Sequence, residues 1–230
     1  MTQTFDRDFW ERHWEQRPSG ATAALPANPY VGRETAELPP GTALDAGCGG
    51  GAEAIWLATR GWQVTAADIS AQALAGARER AAASGVGEDI HWVEADLSHW
   101  EPDSRFELVM TNYAHPDMPQ VEFYARIAEW VAPGGSLLIV GHLHGGDSAH
   151  SHGHGTHGHG HGHGADGAAG EASGHQPPAE ASATAAGITA RLDPDDWEVV
   201  TAEEVARTVR VGEGRAVSLR DVVVRAVRRM

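Results

Sequence analysis

The sequence predicts an α/β fold, a mostly parallel sheet layered between helices and closed by an antiparallel hairpin. Three observations carry this. Short apolar segments alternate with helical patterns from Thr42 to Val140, the rhythm of a doubly wound parallel sheet. Within them, Thr42–Gly51 (TALDAGCGGG) is an apolar segment ending in Asp45, then glycines at 47, 49, 50 and 51, then AEAIWLATRG. That order reads as strand, tight turn, helix. Two strand-like runs, Trp197–Thr201 and Val217–Val227, flank a GEGR turn signal at 212–215 with little helix between them, which predicts the hairpin.

The bulk properties narrow the partners. At 230 residues the chain reads as a single domain with a sizeable core. Formal net charge is −15, with arginine as the only cationic side chain besides histidine, and a field of that sign discourages contact with nucleic acid or an anionic membrane. No apolar run approaches a bilayer span. The opening MTQTFDRDFWERHWEQR carries acids and no apolar core region, so it does not read as a secretory signal. Cys48 is the only cysteine, which excludes an intrachain disulfide. These features predict a soluble cytoplasmic protein, and they leave the oligomeric state open.

In chain order, residues 1–40 read as a cap. Phe5–Arg17 places Phe9, Trp10, His13 and Trp14 at helical spacing, either an amphipathic helix packed on the sheet or a lid over a ligand. Pro26, Pro29, Pro39 and Pro40 predict an irregular connector, from which Asn28–Val31 can enter a pocket. Ala43–Ala46 is the first strand. The first helix runs over Glu53–Arg60 and stops at Gly61. Gln63–Ala67 is the second strand, ending in Asp68, and Ser70 caps a helix running to Ser84. Ile90–Glu94 is the third strand, followed by Asp96, and Arg105–Thr111 is the fourth. The loop NYAHPDMP then holds Asn112, Tyr113 and His115, where loops after strand ends carry chemistry. Pro119–Val131 is helical, PGG at 133–135 is a turn, and Ser136–Val140 is the fifth strand. Pro178–Arg191 supplies a further helix before the hairpin region, 188–230.

The glycine turn admits two nucleotide readings beside an empty turn. Gly47, Gly49 and Ala52 loosely satisfy the dinucleotide pattern G-x-G-x-x-G/A, with Asp68 as the acid about 20 residues on. Alternatively Asp45, Gly47, Gly49 and Gly51 form an acid followed by G-x-G-x-G. A carboxylate at Asp45 repels a pyrophosphate and tolerates a sulfonium or an ammonium. A dehydrogenase would also need a substrate domain, for which no residues remain.

The succession ALDAGCGGGAEAIWLATRGWQVTAADIS, EADL, FELVMTNYAHP and APGGSLLIVGH resembles the class I S-adenosylmethionine-dependent methyltransferases. Within them it is most similar to the tellurite-resistance and thiopurine group, through FWERHW, IWLATRGW and the His-Pro loop. The resemblance covers residues 5–141 well and 188–228 loosely. It implies a Rossmann-like three-layer sandwich with a seven-stranded sheet, and methyl transfer to a small acceptor such as a thiol, selenium or tellurium nucleophile. It implies that Asp45, Gly47, Gly49 and Gly51 wrap the methionine end of the cofactor. Asp68 and Ile69 would hold ribose and adenine, Asp96 and Leu97 adenine, and Asn112 the amino-acid moiety. Asp96 also reads as a plain turn cap. A thiol acceptor needs no dedicated base. If one exists, Tyr113, His115 and His142 are the candidate catalytic residues, though each also reads as loop or core.

Residues 141–187 interrupt the pattern. Ten of the fourteen histidines fall between His142 and His175, many alternating with glycine. Such a tract cannot bury a core and reads as disordered. His150, His152, His154, His157, His159, His161 and His163 form a candidate set for Ni, Zn or Cu. An alternative function follows, a metal-binding or metal-sensing protein on a methyltransferase scaffold.

Overall fold

The structure is a computed structural model that describes residues 5–16, 26–143, 182–211 and 215–230. Seven strands form one sheet: β1 (Thr42–Ala46), β2 (Gln63–Asp68), β3 (Ile90–Glu94), β4 (Phe106–Asn112), β5 (Val131–His142), β6 (Trp197–Val211) and β7 (Arg215–Arg228). Their order across the sheet is β3-β2-β1-β4-β5-β7-β6. The first five are parallel, and β7 runs antiparallel to both β5 and β6. The expected sheet and hairpin are both present. The GEGR turn lies mostly outside the described residues, but the pairing reaches Val211 and Arg215 on either side of it.

Alternation along the strands builds two cores. Leu44, Val109, Leu137, Ile139, Val222 and Val224 face one way. There they meet Phe123, Tyr124 and Ile127 of α5 (Gln120–Ala128) and Ile188 of α6 (Ala185–Thr189). Ala43, Leu108, Met110, Leu138, Val140 and Val223 face the other way. They pack on Val31 of α2 (Pro29–Thr35), Ala54 and Leu57 of α3 (Ala52–Ala58), and Leu74 and Ala81 of α4 (Ala71–Ala83). The amphipathic α1 (Arg7–Glu15) is capped by Asp6, whose carboxylate accepts from Phe9 N.

Three expectations need correction. The connector after Pro26 is not wholly irregular, because it contains α2. Pro29 sits in its first turn, where no amide proton is required, and the Asn28 side chain accepts from Tyr30 N at 3.0 Å. Here proline starts a helix instead of breaking one. PGG at 133–135 is not a turn ahead of β5 but a bulge within it, since Val131 already pairs with Phe106 and the register shifts before Leu108. The last strands are also far longer than Trp197–Thr201 and Val217–Val227. Beyond the pairing of His142 with Asp221, β6 and β7 continue as a two-stranded ribbon past the end of β5.

The hairpin is fastened to α2 through a buried carboxylate. Glu34 accepts from Thr201 Oγ1 at 2.8 Å, Arg225 Nε at 3.2 Å and Arg33 Nε at 2.7 Å. Removing it would leave Arg225, with 19% of its side chain exposed, without a carboxylate. We expect Glu34→Ala to cost about 2–3 kcal/mol of stability, read as a lower urea midpoint at unchanged m-value.

Candidate functional site

The order of strands reverses direction between β1 and β4, and the loops leaving their carboxyl ends open a crevice there, where α/β sheets bind ligands. After β1, Gly47, Gly49 and Gly51 adopt φ of 82°, 47° and 75°, the left-handed region that glycine enters without penalty. Gly47 N and Cys48 N donate to Ala67 O at 2.9 and 3.0 Å. The Asp68 carboxylate accepts from Gly49 N at 2.7 Å and from Ser70 N at 2.9 Å. The ends of β1 and β2 are thereby laced together. Cys48 is packed, and burial, followed by the charges of Asp68 and Asp45, pushes its thiol well up, which makes it a poor nucleophile.

Three acids surround this turn. Asp45 is 1% exposed, and its Oδ2 has no hydrogen-bond partner among the described residues. Burial pushes its carboxyl well above the usual range, and the charges of Glu53 and then Asp68 push it further. Burial also raises Glu53, against hydrogen bonds from the amides of Asn28 and Glu53 itself, and raises Asp68, against those of Ser70, Gly49 and Ile69. Such a set favours a cationic ligand. Asn112, at the end of β4, adds an amide whose oxygen and nitrogen are both buried without a partner among the described residues.

Asp96 engages its own turn: Ser98 N donates to Oδ1 at 2.9 Å and His99 Nδ1 lies 3.1 Å from Oδ2. Leu97 is buried against the loop after β4, and its Cδ1 lies 3.9 Å from where a Cβ on Gly47 would stand. Ile69 is half-buried beside Asp68.

Helix α1 lies over the crevice. Glu11 accepts from Ser70 Oγ at 2.9 Å and from the amides of Ala71 and Gln72 at 2.8 and 3.3 Å, placing a negative charge on the N-terminus of α4. Arg7 pairs with Glu94. Trp14 covers the glycines so closely that a Cβ on Gly49 would come within 2.8 Å of its ring.

A second group of side chains gathers beside the first. Tyr113 holds φ 54°, uncommon outside glycine. Its ring stacks on His142 at 4.4 Å, His142 on His115 at 5.5 Å, and His115 meets Phe5 at 5.7 Å. Arg207 donates from Nη2 to Tyr113 Oη at 3.3 Å and from Nε to the fully buried Asp221, which also accepts from Tyr30 Oη at 3.3 Å. The two halves touch, since a Cβ on Gly47 would lie 2.3 Å from that of Ala114.

The structure therefore brings Asp45, Gly47, Gly49, Gly51, Asp68 and Asn112 to one crevice, with Tyr113, His115 and His142 stacked together beside it. Glu11, Glu53, Arg207 and Asp221 were not expected there, whereas Tyr30 belongs to Asn28–Val31, the stretch expected to enter the pocket. Asp221 carried a signal, because it and Arg225 are charges on one inward face of the otherwise apolar run DVVVRAV. The candidate metal set, His150, His152, His154, His157, His159, His161 and His163, lies outside the described residues. Among the described residues no three His, Cys, Asp or Glu side chains are grouped to hold a metal, and no helix is long and apolar enough to cross a membrane.

This strand order, with a glycine loop after β1 and acids ending β1 and β2, defines the class I, S-adenosylmethionine-dependent methyltransferase fold. Residues 43–135 match the family model described as a methyltransferase domain. Thiocyanate methyltransferase 1 of Arabidopsis thaliana is 34% identical over 111 residues, 47% of this chain and 48% of that protein. The chain spans about half or less of the length of the curated relatives it matches. Two solved structures show the same fold. One is that reported for conversion of a disulfide bond into a thioacetal group during echinomycin biosynthesis, with TM-score 0.63, 22% identity and coverage of 98% of this chain and 90% of that one. The other is TehB from Haemophilus influenzae, with TM-score 0.65, 15% identity and coverage of 88% and 62%.

The raised acids make a prediction about the apo protein. A carboxyl whose pKa is higher folded than unfolded contributes most below the ordinary carboxylate range, and its contribution falls as pH rises toward the folded value. Asp45→Asn should therefore raise the melting temperature near pH 7 by a few degrees, equivalent to about 1–2 kcal/mol, and the gain should disappear near pH 4. A thermal unfolding series between pH 4 and 7.5 measures both.

Proposed function

We propose that this protein binds S-adenosylmethionine in the crevice between β1 and β4 and directs its methyl group to a small, soft acceptor, sulfur foremost. The observation that carries the reading is Asp45 Oδ2, without a hydrogen-bond partner among the described residues and crowded by two further carboxylates. That donor set fits a ligand bearing a sulfonium and an ammonium, and it repels the pyrophosphate of a dinucleotide. The bound cofactor supplies an activated methyl group, so the protein's contribution is positioning and exclusion of water.

Each residue has a role in this reading. Asp45 and the backbone of Gly47, Gly49 and Gly51 receive the methionine end, with Asn112 offering its amide to the amino-acid group. Asp68 keeps lone pairs beyond those given to Gly49 and Ser70, and offers them to the ribose hydroxyls, with Ile69 packing beside the adenine. Asp96 and Leu97 border the adenine, Asp96 while also capping its own turn. Glu11 and Trp14 close the crevice from above. Tyr113, His115 and His142 face the acceptor. The sulfur preference draws support from the relative named as a thiocyanate methyltransferase and from the fold neighbour tied to disulfide-to-thioacetal conversion.

Calorimetric titration with S-adenosylmethionine tests the reading. We expect one site, with protons released on binding at pH 6, because a cationic ligand ionises carboxyls whose pKa values burial has raised. That release appears as a dependence of the measured enthalpy on the buffer's ionisation enthalpy. Asp45→Ala should weaken binding by about 2–4 kcal/mol, roughly 30-fold or more in Kd. Absence of binding by the wild-type protein would remove the reading.

A further inference from the structure

We propose that Asp221 Oδ1 is the far end of the acceptor site, and that it selects acceptors carrying a neutral hydrogen-bond donor, a hydroxyl above all, beyond the atom that receives the methyl group. The proposal rests on the methyltransferase reading above.

The observation is where unsatisfied polar atoms collect. Four buried side-chain atoms on the strands have no hydrogen-bond partner among the described residues: Asp45 Oδ2, Asn112 Oδ1 and Nδ2, and Asp221 Oδ1. All belong to one face of the sheet. Asp45 lies two residues after Ala43, Asn112 two after Met110, and Asp221 two before Val223. Side chains two apart on a strand point the same way, and those three apolar residues share the core packed on α2 and α3.

The atoms also fall in line. Asp45 is opposite Met110, Asn112 is opposite Val140, and His142, two residues beyond Val140, is opposite Asp221. Passing from β1 through β4 and β5 to β7, the polar positions climb toward the carboxyl ends of the parallel strands. The row runs from the donor's end of the crevice, past the stacked Tyr113 and His142, to Asp221. Asn112 and Asp221 are separated by two strand spacings and one two-residue step, about 12 Å between backbones, the scale of a small molecule.

What Asp221 holds in reserve is hydrogen-bonding capacity and not charge. Its Oδ2 accepts from Arg207 Nε and from Tyr30 Oη at 3.3 Å. The guanidinium balances the carboxylate, so an ammonium brought to Oδ1 would meet a pair that is already neutral, at the full cost of its own desolvation. A hydroxyl needs no counter-charge, and its bond to a carboxylate oxygen is short and strong. A carboxylate only accepts, so the ligand must donate. Asp221 itself is fully buried, but Tyr30 is half-buried and Arg207 has 32% of its side chain exposed. The groups covering the carboxylate therefore reach solvent, and their rotation opens it. The long hairpin acquires a purpose as well: Arg207 pairs with Leu219, on the part of the ribbon beyond the end of β5, and a hairpin no longer than β5 would leave Asp221 without its guanidinium.

Steady-state methylation by the wild-type protein reads this subsite without any substitution. 3-Mercapto-1-propanol and 4-mercapto-1-butanol are compared with 1-butanethiol and 1-pentanethiol, which carry methyl in place of hydroxyl at equal length, and with 3-amino-1-propanethiol. We expect kcat/KM for the better alcohol to exceed that of its alkanethiol and of the amine by about 10–100-fold. Asp221→Asn turns its amide oxygen to Arg207 and Tyr30 and puts an NH2 where Oδ1 stood, a group that donates. In that variant 3-methoxy-1-propanethiol, which only accepts, should come within about threefold of 3-mercapto-1-propanol, against a gap of about tenfold or more in the wild type. The Kd for S-adenosylmethionine should stay within about threefold. If Asp221→Asn does not fold, the wild-type comparison decides alone. Alkanethiols used as well as the alcohols, a preference for the amine, an unchanged gap in folded Asp221→Asn, or a wild-type protein that binds S-adenosylmethionine and methylates none of these thiols would each overturn the proposal. A wild-type protein that does not bind S-adenosylmethionine would instead remove the reading beneath it.

Discussion

The Asp45 carboxylate is the constraint on which the rest of the site depends. It sits at the end of the central strand, 1% exposed, with Glu53 and Asp68 beside it. The surrounding polypeptide does little to compensate it: Ala54 N donates one hydrogen bond, and Oδ2 has no partner among the described residues. A buried polar atom left unsatisfied costs about 1–3 kcal/mol. The left-handed glycines follow it directly, Gly49 N is tied to Asp68, and Trp14 of α1 lies against Gly49.

Around this centre, charge is matched wherever it only holds the fold. Glu34 fastens α2 to the hairpin through Arg33, Arg225 and Thr201, and Asp221 fastens β7 to Arg207 and Tyr30. Both carboxylates are buried and both have arginine partners, as buried charges require. Asp45 differs from them in the identity of its neighbours, which are acids. The contrast lies in those neighbours, arginines for Glu34 and Asp221 and acids for Asp45, since Asp221 Oδ1, like Asp45 Oδ2, has no hydrogen-bond partner among the described residues.

The parallel core was legible because its signals are local. TALDAGCGGG states strand, turn and helix within ten residues, and Asp68 and Asn112 follow from where their strands stop. What escaped was set by tertiary context. Proline reads as a breaker unless Asn28 is seen to cap the helix it begins. The length of β6 and β7 depends on each strand supplying the other's hydrogen bonds, so the polar stretch TAEEVART carries no strand signal of its own. Arg207, Asp221 and Tyr30 converge from three separate elements. Glu11 reaches Ser70 across 59 positions, a contact that no pattern within α1 announces. Asp96 was open to two readings in the sequence, and its hydrogen bonds to Ser98 and His99 show the turn cap plainly.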